Sequence, residues 1–520
     1  MATVLSATPG LLKIANLAAT ETFLAQIAAA LPAQRQAQLL TQLKLLVDAG
    51  VPGGERLKIL EALRNTTLET QHVRSREYWG QPVPFDPDTR EIFERSIALW
   101  RAMADAYESL IADMAGAAPE LAEHADLVCY RALRCAGFAM IAHNRAYHAV
   151  PGALWEQLHR LYAFAESAEV TDTPVSEGEG RSTVNLAYLQ IVLAQRANPD
   201  ALSLRQMGTV DRVLAQWVAL GGLSKTPVVA NREMALAVDL GSAQGARRLK
   251  NLSGDNLRYL NIEKIGDQLR QTAISLKTQS PDKLGLGMVP RDICEKLILS
   301  LHNDWLAPGT GRGDERKTAA FNVLMSGTIA AMHFNISGKP FAPPDAGLSS
   351  RARFDMAGFE RVDGPTVGEA SVRSRTLETW TVVNQSSTGI LGKCNNPSNA
   401  TRLAHNQLLG LVAPNGKTFL GVAQRLTIGT DGSTWLGFQL LRTKAQAVAA
   451  RVSNIDKPYD RALLLDGGPA SEPASIVVSP GTYAPSRILD MFEDGRPRKI
   501  RLTALLDSGS NFERATFAAA

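Results

Sequence analysis

The chain has 520 residues, 45% hydrophobic and 20% charged, with 55 Lys and Arg against 51 Asp and Glu for a formal net charge of +4. That length supplies two to four domains with sizeable cores, while the even mixture of charge signs excludes a general binder of nucleic acid polymers. No apolar run approaches the ~18 residues of a membrane span, no basic-then-apolar leader opens the sequence, and Cys129, Cys135, Cys294 and Cys394 lack metal-knuckle or disulfide-framework spacing, so a cytoplasmic protein with reduced, buried thiols is expected.

Residues 1–300 read as an all-α helical bundle or tetratricopeptide-like stack, although no constant repeat period emerges. Leu39, Leu40, Leu43, Leu46 and Val47 form one stripe, ended by Gly50 and Pro52. Asp88 with Glu91 resembles a capping box, after which Phe93, Ile97, Trp100, Ala104, Tyr107, Ile111 and Met114 recur at helical spacing. Leu121 to Ile141 turns strongly apolar towards its end and predicts a central buried helix. Pro151 opens another, with Leu154, Trp155, Leu158, Leu161 and Tyr162 inward. Residues 226–240 read as short strands interrupting the helices, which resume over Leu257 to Leu276 and Val289 to Leu301.

Nothing in this region reads as catalytic. His143 and His148, five apart, fall on different helix faces and cannot share a metal as an i, i+4 pair can, so an interhelical histidine is the better reading. Asp105 with Glu108 and Glu120 with Glu123 are solvated helix carboxylates. No Ser-His-Asp elbow, zinc motif or dinucleotide fingerprint is present, and the reading is of a scaffold that docks a protein partner rather than an enzyme.

Past residue 300 the pattern changes. Gly309-Thr310-Gly311-Arg312-Gly313 with Lys317-Thr318 imitates a phosphate-cradling loop, but Arg316 stands where a P-loop needs Gly, and a helix rather than a strand precedes it. Arg312 and Arg316 are spaced four apart, followed by a strand-like run from Ala319 to Gly327. Residues 337–376 are rich in Gly, Pro, Ser and charge and read as an insertion. A second strand-like run, Thr379 to Val383, leads into Asn384-Gln385-Ser386-Ser387-Thr388-Gly389. An amide, a hydroxyl and a side-chain-free glycine on one turn can bond a purine edge while the backbone comes close, although the phrase also suits an Asx-type turn between strands. Strands are then expected over Leu408 to Ala413, Thr418 to Leu426 and Trp435 to Leu440. The last two flank Asp431-Gly432, whose positive-φ preference marks a tight hairpin. Thr443 to Val452 reads as a terminal helix.

The Asn-x-Ser-x-x-Gly phrase and the strand order after it resemble PilZ domains, the bacterial receptors for cyclic di-GMP. The resemblance covers roughly Asn384 to Val452. It implies a PilZ-like antiparallel β-barrel over 306–452 with cyclic di-GMP as ligand and no cofactor. Arg312 and Arg316 would grip phosphate and stack on guanine, Asn384 and Ser386 would bond the guanine edge, and Gly389 would let the turn close. The arginine pair lies on the far side of the insertion, which loop-closure entropy tolerates at about 0.6 kcal/mol per doubling of length. Asn384 stands where Asp is commoner in the family, leaving open a PilZ-like interaction scaffold that binds no nucleotide.

Residues 453–520 form a β extension, with short apolar runs at Ala462 to Leu465, Ser475 to Val478, Ile488 to Phe492 and Lys499 to Leu502. These runs either enlarge the barrel or build a second module. The whole reads as a multidomain α+β effector that passes second-messenger binding to a protein partner through its helices.

Overall fold

The computed structural model describes residues 11–116, 118–178, 180–227, 235–249, 252, 254–306, 317–342, 344, 377–395, 402–441, 443–455, 457–467, 473–493 and 495–520. The chain divides into two compact units, Met1–Gln81 with Asp86–Thr310, and Pro82–Phe85 with Gly311–Ala520.

The first unit is helical: α1 (Leu17–Ile27), α2 (Pro32–Asp48), α3 (Gly53–Ser75), α4 (Pro87–Met114), α5 (Ala125–Arg145), α6 (Gly152–Ser167), α7 (Val184–Arg196), α8 (Leu204–Trp217), α9 (Glu263–Ser275) and α10 (Arg291–Trp305). Gly50 ends the α2 region at φ +63°, and Leu39, Leu43 and Leu46 are buried while Val47 faces out. The cap of α4 is Asp86 rather than Asp88. Its carboxylate accepts the Thr89 N–H at 2.8 Å, and Pro87 takes the first helical position, where a missing N–H costs nothing. The inner face of α4 is wider than the expected stripe, because Ser96, Leu99, Met103 and Leu110 are buried beside Phe93, Trp100 and Tyr107.

Helix α5 is the centre of this unit, packing along α4, α6 and α7. Gly137 permits the α7 approach, since a Cβ there would lie 2.6 Å from the Ile191 side chain.

The unit is not purely α. A hairpin of β1 (Val175–Glu177) and β2 (Gly180–Ser182) precedes α7. A four-stranded antiparallel sheet, ordered β3-β6-β4-β5, joins β3 (Gly222–Ser224), β4 (Leu236–Asp239), β5 (Arg247–Arg248) and β6 (Leu257–Asn261). Of the expected strands over 226–240, Leu236–Asp239 is present, and Val228 to Ala230 lie outside the described residues. The helix expected from Leu257 begins only at Glu263. Leu257 and Leu260 have helical spacing, but β3 and β4 offer hydrogen bonds on both sides, and that pairing overrides the local pattern.

The second unit holds two closed six-stranded barrels. The first joins β7 (Lys317–Ser326), β8 (Glu378–Gln385), β9 (Gly389–Cys394), β10 (Leu408–Val412), β11 (Thr418–Ile428) and β12 (Thr434–Leu440) in the order β10-β11-β12-β9-β8-β7. Trp380, Val382, Val323, Met325, Leu436 and Phe438 are buried at alternate positions of their strands and fill it. A short helix, α11 (Ile329–Ser337), follows β7 and ends at Gly338 with φ +66°. The second barrel joins β13 (Ala445–Val452), β14 (Asp460–Leu465), β15 (Ser475–Val478), β16 (Ile488–Glu493), β17 (Arg496–Ser508) and β18 (Glu513–Ala519) in the order β13-β14-β15-β18-β17-β16.

The C-terminal β segment is therefore a module of its own, and the helix expected over Thr443 to Val452 is instead its first strand. The Ala-rich sequence of β13 is a good helix former, but β14 and β16 bracket it with backbone partners.

The barrels share an apolar cluster of Leu408, Leu420 and Val422 with Leu463, Leu465, Val477 and Phe512, and Met332 of α11 sits in it. A polar clamp adds to that cluster. The Asn511 side chain accepts from the Leu408 N–H at 2.9 Å and donates to the carbonyls of Leu408 at 2.9 Å and Gly327 at 3.0 Å.

Asn511→Ala removes three hydrogen bonds between the barrels and should lower stability by roughly 1–3 kcal/mol, with little change elsewhere. Urea denaturation of the full chain checks this, and an unchanged midpoint contradicts the clamp.

Acid should weaken the helical unit. The rings of His143 and His148 both pack on Phe93, with centroids 5.4 Å and 4.6 Å away. Burial, then the neighbouring charges of His148 and Arg101, hold His143 down to about 4 from its ordinary 6.5. Between those values the unfolded chain binds a proton that the folded chain refuses. The stabilisation is thus complete above pH 6.5 and is lost as pH falls towards 4, on the order of 3 kcal/mol for His143 alone. Urea midpoints at pH 7 and 4.5 should differ less in His143→Phe than in the parent.

Candidate ligand-binding site

The Asn-x-Ser-x-x-Gly phrase forms the β8–β9 connection at one end of the first barrel. Asn384 is the penultimate residue of β8, beside an irregularity that shifts register between Val382 and Asn384 against β9. Bulges of this kind re-aim a strand's side chains. The Ser386 N–H donates to the Gly389 carbonyl at 2.8 Å. Ser386 Oγ in return accepts the N–H of Gly389 at 3.2 Å and of Thr388 at 3.4 Å. The hydroxyl itself has only long contacts within the turn, the Gly389 carbonyl at 3.5 Å and Thr388 Oγ1 at 3.4 Å, which a better-placed acceptor would replace.

Gly389 is required by a close approach and not by a positive φ. A Cβ there would lie 2.7 Å from the Phe438 carbonyl oxygen of β12. On the same side, the Leu440 N–H donates to the Thr388 carbonyl at 2.9 Å, fastening the turn to the last residue of β12.

Register decides what else shares this end of the barrel. Strand β7 runs antiparallel to β8 with Lys317 opposite Gln385 and Thr318 opposite Asn384, after which an irregularity shifts the pairing before Phe321. Lys317, Thr318 and Gln385 are exposed. Arg312 and Arg316 lie outside the described residues, but Arg316 is the covalent neighbour of Lys317. Of the five residues singled out in the sequence, the structure thus describes Asn384, Ser386 and Gly389 on one turn. Lys317 and Thr318 were missed, because only the register brings the start of β7 to the turn across the intervening chain.

The hairpin at Asp431-Gly432 lies at the other end of the barrel. There the Ser433 hydroxyl and N–H, ahead of Lys393 at 3.6 Å, hold the Asp431 carboxyl below its usual range.

Among the described residues, no three His, Cys, Asp or Glu side chains gather as a metal site would require. All four cysteines are buried, and burial pushes the Cys129 and Cys135 thiols up to about 12 and Cys294 to about 11, which keeps them protonated and unreactive. No helix among the described residues is long and apolar enough to cross a membrane.

Comparison with known proteins gives two family matches. Residues 18–227 match the family described as cyclic-di-GMP receptor FimW, N-terminal domain. Residues 446–520 match the FimW C-terminal beta-barrel domain, beginning one residue into β13 and spanning the second barrel. Neither match includes the first barrel. No curated protein matches the chain. The two models describe parts of one receptor and match in that receptor's order, so the chain is similar to the FimW cyclic-di-GMP receptors at both ends and is a cyclic-di-GMP-binding regulator.

Proposed function

We propose that cyclic di-GMP is held at the β7–β8 end of the first barrel in the manner of a PilZ domain whose motif is divided by an insertion. The observation that carries this reading is the register that sets Lys317 opposite Gln385, because it delivers the chain leaving Arg316 to the edge of the Asn384–Gly389 turn. In this reading Arg312 and Arg316 take the phosphates and stack on guanine, where planar, permanently charged guanidinium groups suit both tasks. Asn384 and the Ser386 hydroxyl bond the guanine edge, and Gly389 keeps the turn close enough to β12 for a flat base to lie against it.

Ligand binding then rearranges the segment from Arg312 to Lys317 over the barrel end and shifts the population between two arrangements of the helical and β domains. The protein has no catalytic role in this scheme. It works in the cytoplasm, and its helical unit carries the message to a protein partner.

Titration calorimetry of the full chain with cyclic di-GMP tests the site. Arg316→Ala should weaken binding by tenfold or more, since a hydrogen bond to a charged group contributes about 1.5–3 kcal/mol. Asn384→Ala should cost several-fold, from about 1 kcal/mol for a neutral bond. Parental affinity in both folded variants would move the ligand elsewhere.

Gly389→Ala should destabilise the first barrel by roughly 1–3 kcal/mol, because the added carbon meets backbone rather than a yielding side chain. Its thermal midpoint should drop, and cyclic di-GMP should restore less stability than it confers on the parent.

A further inference from the structure

The helical unit contains a cleft of about 550 Å³ that the barrel reading does not use. That volume lies within the range of small-molecule pockets. Its walls come from α3, α5, α7 and α8, together with Trp79 and the Trp100 ring of α4. Such packed helices hold side chains in place better than loops do.

The lining pairs flat rings with guanidinium groups. Trp100 and Phe138 lie 4.7 Å apart at 33°, and the Arg134 guanidinium covers the Phe138 ring at 4.7 Å. Arg145 covers Trp79 at 4.0 Å. The two arginines differ in charge balance. Arg145 is ion-paired with Asp211, so its charge is matched within the cleft. Arg134 makes no ion pair among the described residues. Its guanidinium reaches only Gln190 Oε1 at 3.4 Å, and its Nε is buried without a hydrogen bond. Glu69 is the remaining lining carboxylate, and it is exposed. The cleft therefore joins an aromatic wall to one half-buried cation whose donors are not fully used. Leaving such donors unbonded is costly, and an anionic group is the partner that satisfies them best.

We propose that this cleft is a second binding site, for a mononucleotide-sized molecule: a planar base stacked against Trp79, Trp100 and Phe138, with one phosphate on Arg134. Stacking on such rings favours any flat base, and the phosphate adds a charge-assisted bond. The proposal is independent of the barrel site, since its residues all belong to the helical unit.

The test uses the full chain and guanosine 5′-monophosphate as probe, followed by calorimetry and tryptophan fluorescence. A single site with quenched tryptophan emission is expected. Arg134→Gln, which keeps a stem of similar shape, should lower the affinity at least tenfold, whereas Asn384→Ala should leave it unchanged. If Arg134→Gln does not fold by circular dichroism, Phe138→Leu carries the same expectation through lost stacking. Absence of binding at millimolar probe, parental affinity in the folded Arg134 or Phe138 variant, or loss of binding in Asn384→Ala instead would overturn the proposal. A failure here leaves the cyclic di-GMP titration of the barrel untouched, so the two readings fall separately.

Discussion

The pairing of β7 with β8 is the contact on which the second unit depends. β7 is hydrogen-bonded to β8 along one side and to β10 along the other, so it closes the first barrel. Without it the sheet would have two open edges, a row of unpaired backbone groups on each, and Trp380 with Val382 would face water. The two strands are far apart in sequence, and the apolar alternation of both faces fixes how they meet. A slip of one residue would turn Val323 and Met325 outward, so the register is strongly specified. The same register sets Lys317 beside the Asn384–Gly389 turn. Stability and site geometry thus rest on one set of hydrogen bonds.

The helical unit has a comparable organising contact, an ion network around Arg131 of α5. Its side chain is 7% exposed, and Nε donates to Glu61 at 3.0 Å, Nη2 to Glu61 at 3.2 Å and to the Ser176 carbonyl at 3.2 Å, while Nη1 pairs with Glu177. Arg64 also donates to Glu177 at 2.6 Å, and the Tyr107 hydroxyl donates to Glu61 at 2.7 Å. These contacts tie α3, α4, α5 and the β1–β2 hairpin together. A buried charge is tolerable only when its donors are satisfied in this way, and directional bonds of this kind specify which helices meet more than they add net stability.

The two barrels are joined in a different manner. Each closes on its own strands, so the join is made by side chains from outward positions, Leu463, Leu465 and Val477 meeting Leu408, Leu420 and Val422. Asn406, with φ +60°, lies beside Gly509, where any Cβ would run into its carbonyl, and it donates to the Ser508 carbonyl. Apolar area holds the barrels together, and the asparagines at positions 406 and 511 fix how they face. The family match that starts at Gln446 begins where this second barrel begins.

Local chemistry determined much by itself. Period 3.6 in Leu39 to Leu46 and in Phe93 to Tyr107 marked helices, and Asp431-Gly432 marked a hairpin. The Asn-x-Ser-x-x-Gly turn was legible because three residue types at fixed spacing already state a hydrogen-bonding pattern. Tertiary structure decided the rest wherever a segment's partner lies far along the chain. Leu257–Asn261 and Ala445–Val452 have helical composition but became strands, because neighbouring strands offered them backbone hydrogen bonds that local propensity of under 1 kcal/mol per residue cannot outweigh. The cleft walled by Trp79, Trp100 and Arg134 has no sequence signal, since its residues come from separate helices. The meeting of Lys317 with Gln385 follows from a register that only the closed barrel enforces.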